Sequence, residues 1–420
     1  MKNGILKGLL VMLAAVLVLV GCPNDLGGDI KLDLDDALSG PGYTVTFHAN
    51  GGMGTPPAAV TVKKFFSFGT TMPGEGDLAK NGYIVSCWNT NASGTGTDYY
   101  IGGLYRYDDF NGNITLYAKW DNLASCQTLN AKLKWLQAYA KSDTVYTLEI
   151  IANERFVNSS PGISFDRDLQ DISFGERSNI TIHLKGAGGE KIIDASFSVG
   201  EGVTLILDNN ITLQGVKNSM SRTSLIYVYG KLIMREGAKI TGNSVSVYGG
   251  AIRVSGTFIM EGGEISGNAS NSLSGSAYGG GIYLYDNGIF VMNGGKISGN
   301  NAKKESISLS LGGGVYVSEG CSFTMDGGEI SNNTAENAGG GVYIEAGGIF
   351  TKSGGIITGY ADDTVNGNTV KSGNNIVNLR GHAVIYASTT NPKVRDSTAG
   401  PSVNMNSSVS GTAGGWDYGI

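Results

Sequence analysis

Prolines are scarce, eight in 420 residues against sixty-six glycines. With no Gly-X-Y period, that glycine content excludes collagen and suits a turn-rich β protein. Charge is sparse at 16% of residues, so solubility rests on Ser, Thr, Asn and Gly. Cations are outnumbered, 30 Lys and Arg against 36 Asp and Glu, and the net charge of −6 leaves no basic footprint for nucleic acid. Long hydrophobic runs are missing. The longest, Leu9 to Val20, has about twelve residues, whereas a bilayer-spanning helix needs roughly 20. No zincin helix, nucleophile elbow or phosphate loop is present, and no cofactor is implied.

What is there begins with an address. Lys2 and Lys7 precede the apolar run, the layout of a secretory signal over residues 1–21. Leu19-Val20-Gly21-Cys22 resembles a bacterial lipobox. That likeness implies cleavage before Cys22, diacylglycerol on its thiol, and an exported protein anchored to the membrane at the cell surface, on the outer membrane. Cys87, Cys126 and Cys321 then remain. Three thiols cannot form a full set of disulfides, and their spacing fits no zinc site, so no metal is expected. Residues 22–42 read as a lipid-anchored tether. Asp33, Asp35 and Asp36 lack the further ligands and closing Glu of a calcium loop.

From 43 to 120 the pattern is strands and polar turns. Val45-Thr-Phe-His-Ala-Asn-Gly-Gly52, Gly82-Tyr-Ile-Val-Ser-Cys-Trp88 and Thr115-Leu-Tyr-Ala-Lys-Trp120 resemble the marks of the Listeria–Bacteroides (internalin B-type) repeat, with Cys87 where glycine is usual. The resemblance implies a small β-grasp-like domain of bacterial surface proteins, with a spacer or adhesion role and no catalysis. Physically, Trp88, Trp120 and Tyr83 are anchors for a core that is otherwise too small. An exposed aromatic binding site is the other reading.

One helix is expected at 128–141, where Leu129, Leu133, Leu136 and Ala140 form an apolar stripe. It precedes a repeat and is read as its cap. The clearest copy of the repeat is Phe290-Val-Met-Asn-Gly-Gly-Lys-Ile-Ser-Gly-Asn300, a loop, then Gly312-Gly-Gly-Val-Tyr-Val317. Three short alternating strands per copy, joined at glycine corners, resemble a right-handed, single-stranded parallel β-helix of the pectin-lyase type over 123–390, with 391–420 as a C-terminal tail or cap. The fold class is therefore mainly β: a β-grasp-like repeat domain plus a helix-capped parallel β-helix.

Stacked coils turn repeated positions into columns. Lys239, Glu264, Lys296 and Glu329 alternate in charge, and Asn243, Asn268, Asn300 and Asn333 are placed to form an amide ladder at a corner. Arg253, Tyr283, Tyr316 and Tyr343 form an outward column and are the candidate ligand-binding residues, since regularly spaced tyrosines can stack on sugar rings. Packing of the sheet face is the competing reading. The loops after each Asn vary most in length and fall on one edge, where solenoids recognise partners. Gly249-Gly-Ala-Ile252 and Gly279-Gly-Gly-Ile282 resemble repeats of polymorphic outer-membrane proteins and spirochaete surface lipoproteins. Asp362-Asp363 with Gly381-His382 superficially resembles polygalacturonase motifs, whose flanking Asn-x-Asp and Arg-x-Lys are absent. The expected function is a non-catalytic, lipid-anchored surface protein. It would adhere through β-helix faces and loops to a host or neighbour-cell surface protein or glycan. A polysaccharide lyase or glycoside hydrolase and a purely structural stalk are the alternatives.

Overall fold

In a computed structural model the described residues are 42–64, 69–156, 169–215, 223–246, 248–272, 275–304, 308–360, 363–372, 375–376, 383–386, 393–394 and 407–409. The chain is mainly β, with 48% strand and 5% helix, and falls into two compact units divided between Cys126 and Gln127. Cys22 and the tether lie outside the described residues. Among the described residues no helix is long and apolar enough to cross a membrane.

The N-terminal unit is a five-stranded mixed sheet. Its first strand, Gly42–His48, and its last, Ile114–Asp121, run parallel side by side, with Val60–Lys63 and Ile84–Asn89 antiparallel outside them. Val45, Val85, Trp88, Leu116 and Ala118 make the core, and Trp88 is fully buried with its Nε1 donating to Pro73 O at 3.0 Å. Trp120, half-buried, donates to Ala49 O at 2.9 Å. The Asn50-Gly-Gly52 motif follows from this packing. Asn50 takes a φ of 49° and its amide donates to Ala92 O and Ala118 O, while a Cβ at Gly52 would collide with the Trp120 ring. The tryptophans are therefore anchors, and Cys87 is a buried thiol pushed up to about 12, chiefly by desolvation.

The second unit stacks coils in sheets of nine, nine and eight strands, all parallel except for one terminal strand in each of the first two. The first face includes Ile226–Val228, Ile252–Val254, Ile282–Leu284, Val315–Val317 and Val342–Ile344; the second includes Lys231–Met234, Thr257–Met260, Ile289–Met292, Ser322–Met325 and Ile349–Lys352. The third includes Lys239–Thr241, Glu264–Ser266, Lys296–Ser298 and Glu329–Ser331. Period-two alternation sends every second residue inward, where it lies over its counterpart in the next coil. Phe258, Phe290, Phe323 and Phe350 stack with ring centroids 4.6 to 5.0 Å apart, all with no exposed surface. Beside them Met234, Met260, Met292 and Met325 form a second column that ends in a buried Lys352. Phe290→Ala opens a hole between two stacked rings and is expected to cost about 3–5 kcal/mol. Chemical denaturation with tryptophan and circular-dichroism readouts in parallel measures it.

The corner loops are not wholly loops. Ser244–Val245, Ala269–Ser272, Asn301–Lys304, Thr334–Ala335 and Thr369–Ser372 pair as a fourth parallel ladder. Val245, Ser270, Ala302, Ala335 and Val370 are its inward column. The expectation of free recognition loops is corrected here: half of each loop is scaffold. Its inward side chains are small, so alternation over two to four residues carries no readable hydrophobic signal.

The asparagine column is in register and gains a fifth member, Asn368. From Asn268 onward each side-chain oxygen accepts from the preceding coil, as Asn333 Oδ1 does from Asn300 N at 3.0 Å and Nδ2 at 2.9 Å. The charge column is also in register, but only partly paired. Lys296 meets Glu329 at 3.1 Å, whereas Lys239 reaches Glu190 at 3.2 Å instead. Such exposed pairs contribute at most about 1 kcal/mol.

Both ends are closed. At the start, the helix Leu129–Tyr139 is capped by Thr128, whose hydroxyl accepts from Ala131 N at 3.2 Å, and buries Leu129, Leu133 and Leu136. Glu154 accepts from Leu129 N at 2.7 Å, and Arg177 donates to Ala140 O at 3.0 Å and to Gln137 O, which pins both helix ends to the first coils. At the far end Lys393–Val394 and Ser407–Val409 add antiparallel strands to the first two faces. An antiparallel partner interrupts the template that a further parallel coil would need.

Candidate functional site

With its inward positions filled by core, the β-helix has only outward columns for chemistry. On the first face one outward column runs Tyr227, Arg253, Tyr283, Tyr316, Tyr343 in continuous register. The flanking residue two positions on contributes Tyr229, Ser255, Tyr285, Ser318 and Glu345. The structure thus brings all four sequence-selected residues, Arg253, Tyr283, Tyr316 and Tyr343, onto one face.

Their environment differs from the expectation. Tyr316 and Tyr343 rings lie 5.2 Å apart and 13° from parallel, and Tyr283 stacks on Tyr285 at 5.6 Å and 7°. Tyr278, from the preceding corner, stacks on Tyr316 at 4.5 Å, and Tyr248 stacks on Tyr278 at 4.8 Å. Leu311, Ala338 and Ile385 complete a satellite apolar cluster around them. Tyr316 is left 3% exposed. Its selection as a sugar platform is therefore corrected, and Tyr283 and Tyr343 lose most of their ring faces to neighbouring rings. A pyranose needs an open ring face, and here these faces are used in stacking one coil on the next. Burial pushes the phenols of Tyr283 and Tyr316 up, so both remain protonated donors at neutral pH.

Arg253 behaves differently. Its guanidinium lies 5.4 Å from the Tyr227 ring, 5.7 Å from Tyr283 and 5.0 Å from Tyr285, taking the place of a ring in the stack. Nε is shut away from solvent and has no hydrogen-bond partner. No carboxylate among the described residues pairs with it. Tyr229, 45% exposed, hydrogen-bonds through its hydroxyl with Tyr285 beside the arginine. Tyr227, Tyr229 and Tyr285 were not selected from the sequence, although Ile226-Tyr-Val-Tyr229 and Ile282-Tyr-Leu-Tyr285 show the same alternation twice.

Other polar groups are engaged locally. Lys185, Asp208, Asn209, Arg235, Glu236 and Glu261 line a shallow depression on the second face. There Arg235 pairs with Glu261 at 3.3 Å and Asp208 at 3.7 Å, and His183 contacts Asp208. Partial burial opposes ionisation of Asp208, but the Asn209 N–H, His183 and Arg235 outweigh it and hold the carboxyl below its usual range. Asp363 accepts from the backbone N–H of Val365 at 2.9 Å and of Asn366 at 2.8 Å, closing its own turn. Asp362, Gly381 and His382 lie outside the described residues. Cys321 is buried with its thiol raised by desolvation, which suits a packing role. Among the described residues no group of three or more His, Cys, Asp or Glu is placed to hold a metal ion.

No curated protein and no solved structure matches the chain. The mixed five-stranded sheet with its Asn-Gly-Gly turn and paired tryptophan anchors does have a match: residues 43–119 are matched by the family model of the Listeria-Bacteroides repeat domain.

Proposed function

We propose that this is a non-catalytic, lipid-anchored protein of the bacterial cell surface. It would contact a host or neighbouring cell through an outward face of a right-handed, pectin-lyase-type β-helix. The observation that carries the reading is the first face itself, a rigid five-coil surface of tyrosines around an arginine that no carboxylate of the described residues neutralises. Tyr and Arg are the residue types most enriched where proteins bind partners. The lipobox-like Leu19-Val20-Gly21-Cys22, the polar tether and the Listeria-Bacteroides repeat domain support placement outside the cell. The likeness of the glycine phrases to surface-lipoprotein repeats points the same way. Asp363 is engaged in closing its own turn, which speaks against a role as one of the two acids of a polysaccharide hydrolase.

Two measurements test this reading. Metabolic labelling with an alkyne fatty acid should mark the full-length protein, and Cys22→Ala should abolish both the label and recovery in the membrane fraction. Protease added to intact cells should then remove the β-helix. Protection in intact cells combined with digestion after lysis would sink the surface assignment.

A further inference from the structure

We propose that Arg253, framed by Tyr227, Tyr229, Tyr283 and Tyr285, is the anchor point for an acidic side chain of a protein partner, which deepens the surface-contact reading and rests on it. The inference starts from hydrogen bonds not made. A guanidinium carries five N–H donors. Here none has an acceptor among the described residues, and Nε is buried. No described residue accepts from the two terminal nitrogens, and the side chain as a whole is only half-buried. A buried donor left without a partner is costly, and a charged one more so. The rings at 5.0 to 5.7 Å compensate the charge but offer no in-plane acceptor. The guanidinium is thus packed among rings, with no acceptor from the described residues on its donors. A carboxylate is the complement of those donors, since it accepts two parallel N–H bonds in the guanidinium plane.

The surroundings decide between a protein and a sugar as the bearer of that carboxylate. Tyr283 and Tyr285 spend their faces on each other, and Tyr316 and Tyr343 do the same. Faces engaged in this way leave little open ring, and Tyr316 is almost wholly buried. That is a poor bed for a pyranose ring but a common protein hot spot, where a desolvated charge is ringed by aromatic groups that exclude water. Ser255 stands between Tyr229 and Tyr285 in the flanking column and is the small side chain among them. The other charges on this face are few. Glu345 lies three coils away, engaged with Glu319 N at 3.3 Å, so it does not compete for Arg253.

The test uses the exported chain and a displayed library of random dodecapeptides as probe. Selection runs in parallel on wild type and Arg253→Ala, with sialyllactose and oligogalacturonate as glycan arms. Peptides enriched on wild type should carry Asp or Glu. They should bind Arg253→Ala at least tenfold more weakly and Arg253→Lys nearly as weakly, because an ammonium cannot make the two in-plane bonds. Lys231→Ala, on the second face, should change nothing. Unchanged circular dichroism and melting temperature in the variants show that the coil is intact. Peptides that lack acidic residues, peptides that bind Arg253→Ala equally well, or the absence of enrichment would each overturn the proposal. Arg253-dependent capture of either glycan instead of peptide would overturn it too. Arg253-dependent peptide binding by a protein that resists protease on intact cells would leave the site standing and remove the surface reading beneath it.

Discussion

Asn300→Ala is expected to cost about 2–5 kcal/mol, although the side chain touches no ligand and sits at a corner. Asn300 is 1% exposed. Its Nδ2 donates to Ile265 O and to Asn333 Oδ1, both at 2.9 Å, and its Oδ1 accepts from Asn268 N and Nδ2, both at 3.1 Å. Truncation strands the Asn268 N–H and weakens the satisfaction of the Ile265 carbonyl, both away from water. The Asn268 amide keeps Ile240 O and Ser266 O, so the damage concentrates at the cut. The near-isosteric Asn300→Asp should be at least as harmful at neutral pH. It replaces both donors with oxygen and points a carboxylate at two acceptors. That environment raises the folded-state pKa of the new acid above its unfolded value. Its destabilisation should therefore be smallest below the unfolded carboxyl pKa and should grow as pH rises through the folded one. Thermal melts across pH measure this, together with hydrogen exchange at the coils of Asn268 and Asn333. Exchange matters because repeat coils can open locally without a single global transition. A loss below about 1 kcal/mol would mean that water replaces the ladder at no cost.

Gly280→Ala is expected to be severely damaging, and Gly281→Ala milder. The three glycines of the corner are glycine for different reasons. Gly279 sits at a φ of +64°, where an L side chain is strained. Gly280 has ordinary dihedral freedom but no space: an added Cβ would run into the Gly313 carbonyl oxygen and the backbone of Asn301. Backbone on both sides cannot move without shifting a coil, so a cost above about 3 kcal/mol, or loss of soluble protein, follows. At Gly281 the nearest atom to an added Cβ is Gly314 O at 2.8 Å, a tight contact. The copy one coil earlier already carries alanine there, as Ala251, whereas its second position is Gly250. Gly279, where an added Cβ would also run into the Ile282 carbonyl, and Gly280 are both expected to be severe and Gly281 mildest, read from soluble yield and melting temperature. Equal tolerance at 280 and 281 would contradict the close approach of the coils.

The coil plan was legible from residue pattern alone because repetition amplifies a weak signal. Phe290-Val-Met292 is too short to name a strand by itself, yet its equivalents Phe258-Ile-Met260 and Phe323-Thr-Met325 force the same register. That register places Phe on Phe and Asn on Asn. The amide ladder was readable for the same reason, except for Asn368. A longer insertion after Ile357 hides it, although the Gly367-Asn368 pair repeats Gly242-Asn243, Gly267-Asn268 and Gly299-Asn300. The motifs of residues 43–119 were equally plain, since a small sheet needs its tryptophans and a side-chain-free turn in fixed places.

Tertiary structure alone settled what each outward side chain meets. Which acid a lysine reaches depends on chain geometry two coils away, so Lys239 turned to Glu190 while Lys296 kept Glu329. The second halves of the repeats became a fourth ladder because alanine and serine can be inward when neighbours supply the walls, and hydrophobicity does not mark them. Tyr316 shows the limit most clearly. Its outward position followed from alternation, but its burial came from Leu311 of its own corner and from Tyr278 and Ala338, brought over it by the corners of the neighbouring coils. The reverse holds for Arg253. Its column was readable, but the lack of an acceptor around its donors depends on every neighbouring group in space, and no sequence pattern encodes it.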